Sequence, residues 1–314
     1  MKAVVVPMPN EVTFEQFRTR YATEAVCAEA LFHARWPNGF NCPSCGHREC
    51  YELRTRRLPL YECRSCRRQT SLIVGTIMEG SRTPLTLWFQ ALFLHARPQG
   101  ISASRLASVI GTTYKTAWLI CHKIRHAMSA CDSQELLSGL VRVNYGKYGR
   151  PYNPTVFRHP QKQPLILGGT VCAEIGITHL KIKQVPDDHL IQDRITSRGS
   201  HEFVQKHIDS AKADVTVIIQ EFSIHRYRPL LEIASNASNW INWTFSGIGP
   251  KHLQSYLDQY CFGYNQLQRK TDSFQILLTH SAATPTLTYP DLIQREDQSA
   301  QRKIAYEKLL REAC

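Results

Sequence analysis

An α+β multidomain chain is the fold class predicted here: a cysteine-built ribbon and a helical unit in front, an α/β domain with a mixed sheet behind. Three observations predict it. Two Cys-x-x-Cys pairs, Cys42-Pro-Ser-Cys45 and Cys63-Arg-Ser-Cys66, are separated by 17 residues. Two helical stretches follow, Gly111 makes a turn, and a third helix then runs through Met128. From residue 138 onward, strand-like runs give way to helical ones in the order strand, strand, strand, helix, strand, helices.

With 314 residues, the chain is long enough for two or three cores. No apolar run reaches the ~20 residues of a membrane span. The start, MKAVVVPMPNEVTFEQF, has no cleavage site of small residues, so a secretory leader is not expected. Eleven cysteines, an odd number with four in two close pairs, favour metal binding in a reducing cytoplasm over disulfides.

Charge is unevenly placed. The net charge is +12, and residues 41–130 hold 13 lysines and arginines against 4 acids. Residues 1–40 balance at 4 against 4, and residues 131–314 hold 21 against 18. A basic segment alone could be a solvated face. Beside two motifs of DNA-binding type, it points to a polyanion partner.

In chain order, residues 12–35 carry Phe14, Phe17, Tyr21, Val26, Ala30 and Leu31 at mostly helical spacing, which predicts two short helices capping the ribbon. Trp36–Phe40 is a turn. The cysteine spacing has a physical cause: two thiolates three positions apart on a tight knuckle can both face a tetrahedral ion, and a hairpin brings the second pair across. Cys42, Cys45, Cys63 and Cys66 are therefore the expected ligands of a structural Zn2+. His47 and Cys50 are substitute ligands whose spacing fits less well. Tyr51, Leu53, Leu58, Leu60 and Tyr61 supply the two strands between, and Ser71–Ile77 reads as a last ribbon strand.

Pro84–Arg97 is a helix with a broad apolar face, Ser102–Ile110 a second helix, and Thr113 the N-cap of a third. Ala117, Ile120, Cys121, Ile124 and Met128 line that third helix on one side. Thr112, Tyr114, Lys115 and Thr116 are left at its exposed N-terminal end, where a recognition helix meets base edges. Many three-helix units share this pattern without touching DNA; the neighbouring ribbon and charge favour the DNA reading. Arg64, Arg67 and Arg68 are the matching phosphate contacts on the ribbon.

Further on, Leu140–Val143 reads as a short strand, Gly146–Pro164 as a loop, and Leu165–Cys172 and Ile177–Val185 as two strands. Ser200–Ala211 is a helix, Val215–Ile219 a buried strand, Tyr227–Ala234 a helix and Lys251–Tyr264 a long amphipathic helix. From Ser281 the chain reads as a poorly packed extension with a last helix near Lys303–Glu312. The expected divisions are residues 1–80, 81–130, 138–270 and 271–314.

These residues resemble a known family. WPNGFNCPSCGH, the second cysteine pair, GTIMEGSRTPLTLWFQALFL and GISASRLASVIGTTYKTAWLICHKIRHAM resemble the front half of zinc-ribbon insertion-sequence transposases, and GPKHLQSYLDQYCFGYN resembles the last helix of their RNase H-like catalytic domain. The resemblance covers about Phe14 to Asn265. It implies an RNase H-like domain with a sheet of the five-stranded type, binding of double-stranded terminal inverted repeats, and metal-dependent strand cleavage and joining. It also implies work as a homo-oligomer near the bacterial nucleoid.

That chemistry demands acids. Two ions ~4 Å apart activate the attacking oxygen and stabilise the leaving one, and hard Mg2+ or Mn2+ needs carboxylates. Carried over from the family, the catalytic positions are Asn144 in LVRVNY, Gln220 in VTVIIQEF and Asn236 in ASNASNW, the last on a loose alignment. The first two are amides where the family has Asp. Glu221 would restore an acid by a one-residue slip, but side chains alternate along a strand, so it needs a bulge to turn inward. Gly263, Gln266 and Leu267 also stand where basic residues are expected. The resulting expectation is a DNA-binding relative without nuclease activity. The rivals are an active transposase using Mg2+ or Mn2+ with acids drawn from Glu174, Asp187, Asp188, Asp214 and Glu221, and a zinc-stabilised protein-interaction module.

Overall fold

The computed structural model describes residues 12–54, 56–149, 162–191 and 194–294. It is a mixed α+β chain that divides into two compact units. The first comprises the chain up to Arg97, Ala103–Cys121 and Phe274–Thr286, and the second Pro98–Ser102, His122–Ser273 and the chain from Leu287.

The first unit begins with helices α1 (Phe14–Arg20) and α2 (Glu24–Arg35), the two short helices expected there. Thr13 closes α1 in a capping box with Gln16, and Thr23 caps α2, so polar side chains satisfy backbone amides at both starts. Strands β1 (Cys50–Leu53), β2 (Leu60–Cys63) and β3 (Gln69–Ser71) form an antiparallel ribbon. The last strand stops at Ser71 and does not run on to Ile77. Arg35 takes the carbonyls of Ser71 and Leu72 at 2.9 and 2.7 Å, which removes them from a ladder, and Gly75 turns the chain at φ 78°. The apolar residues beyond, Leu72, Ile77 and Met78, are buried in turns.

Helices α3 (Leu85–His95) and α4 (Ala103–Ile110) follow, with α5 (Tyr114–Gln134) after a turn. Gly111 has φ 67° and Thr112 donates its amide to the Ala107 carbonyl at 3.0 Å, the bond that closes a helix C-terminus at a left-handed residue. Thr113 caps α5: the Thr116 amide donates to its Oγ1 at 3.3 Å. The stripe Ala117, Ile120, Cys121, Ile124 and Met128 is buried as its spacing required.

The second unit is built on a sheet of β4 (Leu137–Tyr148), β5 (Gln163–Cys172) and β6 (Gly176–Gln184), joined later in the chain by β9. A two-residue ribbon, β7 (Leu190–Ile191) with β8 (Arg194–Ile195), leads into α6 (Ser197–His207) and then β9 (Ile208–Ile218). The sheet order is β6-β5-β4-β9, with β4–β5 and β5–β6 antiparallel and β4–β9 parallel. It is mixed, as expected, but has four strands among the described residues where the five-stranded type was expected. After Ile218 the chain meets polar Gln220 and Glu221, turns, and starts a helix at Arg228-Pro229.

Strand β4 is longer than its apolar core suggested, because Gly146–Tyr148 continue the ladder opposite Gln163–Leu165. Residues 150–161 of the expected loop lie outside the described residues. Strand β9 is an edge strand, not a buried one, and Val217 is 38% exposed. It claims Ile208–Ala211 from the helix expected there, since Ile208 pairs with Leu137.

Helices α7 (Arg228–Phe245) and α8 (Pro250–Arg269) cover one face of the sheet, and α6 covers the other. Alternation sorts β4 accordingly. Leu137, Val141, Val143 and Tyr145 join the α6 core, while Tyr148 joins the α7–α8 core. Gly146 lets α7 approach closely: a Cβ there would meet the Leu167 side chain at 2.2 Å and the Ala234 Cβ at 3.4 Å.

Helix α9 (Ser273–Ala283) belongs to the first unit, and α10 (Tyr289–Gln294) ends the described chain. Phe274 packs edge-on against Phe17 with centroids 4.8 Å apart, and Ser281, Ala282 and Thr284 are buried. The stretch from Ser281 is therefore packed core at its start. The helix expected near Lys303–Glu312 lies outside the described residues.

Candidate metal centre and sheet-edge site

The four cysteines converge. Their Sγ atoms all lie within 4.8 Å of one another, with Cys42–Cys66 and Cys45–Cys63 each at 3.6 Å. A tetrahedral zinc with Zn–S bonds of about 2.3 Å needs sulfurs about 3.8 Å apart, so the donor set fits that ion. His47 and Cys50 are not part of the cluster.

The two knuckles are built alike. Gly46 donates its amide to the Cys42 carbonyl at 2.9 Å, and Cys42 donates to the His47 carbonyl at 2.9 Å. In the second, Arg67 donates to Cys63 at 3.1 Å, and Cys63 to Arg68 at 3.0 Å. Each knuckle turns on a left-handed residue at the same place, Gly46 at φ 71° and Arg67 at φ 59°. Burial raises the Cys42 thiol's pKa, but the amides of Cys45 and Ser44 and bonds from Cys66 and Cys45 outweigh burial and hold it at about 6. Cys66 is favoured as a thiolate by the Arg68 amide, yet the sulfurs around it push it up to about 12. Four thiolates cannot crowd together without a cation to compensate them, and a bound dication would supply that compensation.

The ribbon arginines are exposed and engaged. Arg64 pairs with Glu49 at 3.2 Å and lies 4.7 Å from the Tyr51 ring centre; Arg67 pairs with Glu62 at 3.3 Å. Arg68 is exposed. Such surface pairs are worth at most ~1 kcal/mol and exchange readily for a phosphate. At the start of α5, Tyr114 is 59% exposed and Lys115 is exposed, while Thr112 and Thr116 are half-buried. All seven lie in the first unit.

The positions carried over as catalytic lie on β4, after β9 and on α7. Asn144 is 1% exposed within β4. Its Nδ2 donates to the Tyr227 carbonyl at 2.9 Å, and its Oδ1 accepts from the Tyr227 amide at 3.4 Å. Tyr227 is the N-cap of α7, so the amide ties the strand to the helix start. Gln220 is exposed beyond the end of β9, and Glu221 is held by Lys147 at 2.8 Å. Asn236 is exposed on α7, whose buried face is Leu230, Ile233, Ala234, Ala237 and Ile241.

The alternative acids are scattered. Glu174 lies exposed at the β5–β6 turn, Asp187 and Asp188 in a short 3-10 helix after β6, and Asp214 on β9 opposite Leu140. Among the described residues, the four cysteines are the one group of three or more His, Cys, Asp or Glu side chains placed to share an ion. Gly263 faces open space, Leu267 is 51% exposed, and Gln266 is buried.

The sequence reading missed a cluster of buried charge in the second unit. Lys183 bridges Asp132 at 2.6 Å and Asp258 at 2.7 Å, and fully buried Lys181 reaches Asp132 at 3.1 Å. Burial works against both ions, but the opposite charges prevail, holding the Asp132 carboxyl below its usual range and lifting Lys183. The alternating His179, Lys181 and Lys183 along β6 was its only signal.

Residues 22–69 match a family described as a transposase zinc-ribbon domain. Over 111 residues the chain is 30% identical to a protein of Halobacterium salinarum titled an uncharacterized protein in transposable element ISH50. The match covers 35% of this chain and 37% of that relative. No solved structure matches the chain. Together these findings support kinship with insertion-sequence transposases, and the cysteine geometry agrees with the ribbon match. No helix among the described residues is long and apolar enough to cross a membrane.

Proposed function

We propose that the protein binds double-stranded DNA at transposon ends and has lost the two-metal nuclease of its relatives. The ribbon match and the concentration of positive charge in residues 41–130 support the DNA reading. Lys115, Tyr114, Thr112 and Thr116 read base edges in a helix-turn-helix formed by α4 and α5. Arg64, Arg67 and Arg68 take phosphates, with zinc fixing the ribbon that presents them. Such a protein works in the bacterial cytoplasm at the nucleoid, as a homo-oligomer.

The sheet order β6-β5-β4-β9, three antiparallel strands followed by one parallel, supports an RNase H-like reading of the second unit. The observation that carries the loss of activity is the Asn144 amide. It uses both donor and acceptor on Tyr227, a task no carboxylate performs, and leaves no charged ligand for Mg2+ or Mn2+ at that place. An active enzyme with Glu221 as the missing acid would have to release that residue from its surface pair with Lys147. A purely protein-binding module is opposed by the basic front unit.

Incubating the zinc-loaded protein with end DNA and either Mg2+ or Mn2+ tests the proposal. A shifted complex without nicking supports it, and strand cleavage refutes it.

A further inference from the structure

Beside Asn144 the second unit carries a cavity of ≈ 530 Å³, within the ~300–1,000 Å³ of small-ligand sites. It opens where β4 and β9 run in parallel: Arg142 stands opposite Thr216, and Asn144 opposite Ile218. The loop before α7 and the first residue of that helix complete it with His225, Arg226 and Arg228.

The lining is cationic. Three arginines line it, and none of its lining residues is acidic. Among the described residues, none of the three arginines pairs with a carboxylate. Arg142 is tethered to Thr216 Oγ1 at 2.5 Å, and the Arg226 Nε donates to the Ser223 carbonyl at 3.0 Å, so both have further N–H groups to offer a ligand. The 18-residue helix α7 begins at this wall, and its N-terminal dipole end adds positive potential.

A site for divalent ions needs negative oxygens, and this one repels cations. The geometry points to a metal-independent phosphate-binding site at the β4–β9 edge, held by Arg142, Arg226 and Arg228. Guanidinium groups suit this task because they meet phosphate oxygens through paired, charge-assisted hydrogen bonds. The inference goes beyond the DNA grip proposed above and does not depend on it, since the cavity belongs to the second unit alone. The phosphate can be free, a terminal group on a nucleic acid, or an internal phosphodiester.

The test is calorimetric titration of the full-length, zinc-loaded protein with inorganic phosphate, in low salt without Mg2+ or Mn2+. One saturable site is expected. Arg228→Glu and Arg142→Gln should each weaken it by about tenfold or more, the loss of one charged hydrogen bond. Arg228 is exposed, so its replacement should leave the melting temperature in place. Short duplexes then separate the sources. Displacement of phosphate only by 5′-phosphorylated DNA assigns a terminal phosphate, equal displacement by 5′-hydroxyl DNA assigns the backbone, and displacement by neither assigns the free ion. Absence of saturable binding, binding that needs added Mg2+ or Mn2+, or binding indifferent to both substitutions would overturn the inference.

Discussion

Asn144 and Tyr227 hold each other through both ends of one side-chain amide, across 83 residues of chain. The strand on which the family resemblance would place an acid is here fastened to the N-cap of α7. A carboxylate would keep one of these bonds and set its second oxygen against the Tyr227 carbonyl.

Asn144→Asp should therefore destabilise the protein by about 1–3 kcal/mol, the cost of a lost bond plus a buried acceptor facing another acceptor. Urea denaturation measures it. The substitution alone should restore no cleavage, because Gln220 and Asn236 still supply no carboxylate. An unchanged urea midpoint would mean that the Tyr227 bonds contribute little.

The knuckles give an asymmetric pair of outcomes. Gly46→Ala should cost about 1 kcal/mol, because a side chain there enters the left-handed region. Arg67→Gly should stay within about 1 kcal/mol of the parent, since glycine relieves the same strain while losing only a surface pair and some chain entropy. Thermal melts of the zinc-loaded variants check both. Cys63→Ser should abolish stoichiometric zinc and loosen the ribbon, read by metal analysis and proteolysis.

Much of the front unit was legible because its determinants are local. The cysteine spacing, the Thr113 cap and the α5 stripe all act within a few turns of chain. The partners of Asn144, Arg35 and Phe274 are distant in sequence, so pattern reading could not find them. The run Val215–Ile219 suggested a buried strand, whereas β9 lies at the sheet edge, where apolar alternation is not required. The cationic cavity was equally hidden: Arg142 meets Arg226 and Arg228 only through the parallel register and the loop before α7.

Acid should weaken the second unit early. Burial, reinforced by neighbouring lysines, holds the His179 and His207 imidazoles at about 4, below their ordinary 6.5. The unfolded chain then binds protons that the fold refuses between those values, so stability falls as pH drops through that window, by about 1–3 kcal/mol per histidine. His179→Gln should flatten the slope of the urea midpoint between pH 7 and pH 5. The depressed Asp132 acts lower: its contribution is present above its unfolded value of 3.8 and is lost as pH falls through the folded one.

Asp132→Asn tests the buried cluster directly. It leaves fully buried Lys181 facing a neutral amide, and breaking such a pair typically costs about 3–5 kcal/mol. A loss under 1 kcal/mol would show that water reaches these charges.

Lys115→Ala should weaken DNA binding and reduce its salt dependence by about one phosphate contact or leave the slope intact if the residue reads a base. Unchanged affinity would exclude the start of α5 from the interface.

The most direct measurement of the account combines binding and chemistry in one tube. End-labelled transposon-end DNA is incubated with zinc-loaded protein and Mn2+, then resolved on native and denaturing gels. The account predicts a complex that weakens steeply with salt, with every strand intact. A metal-dependent nick at the transposon end, or no complex at low salt, would contradict it.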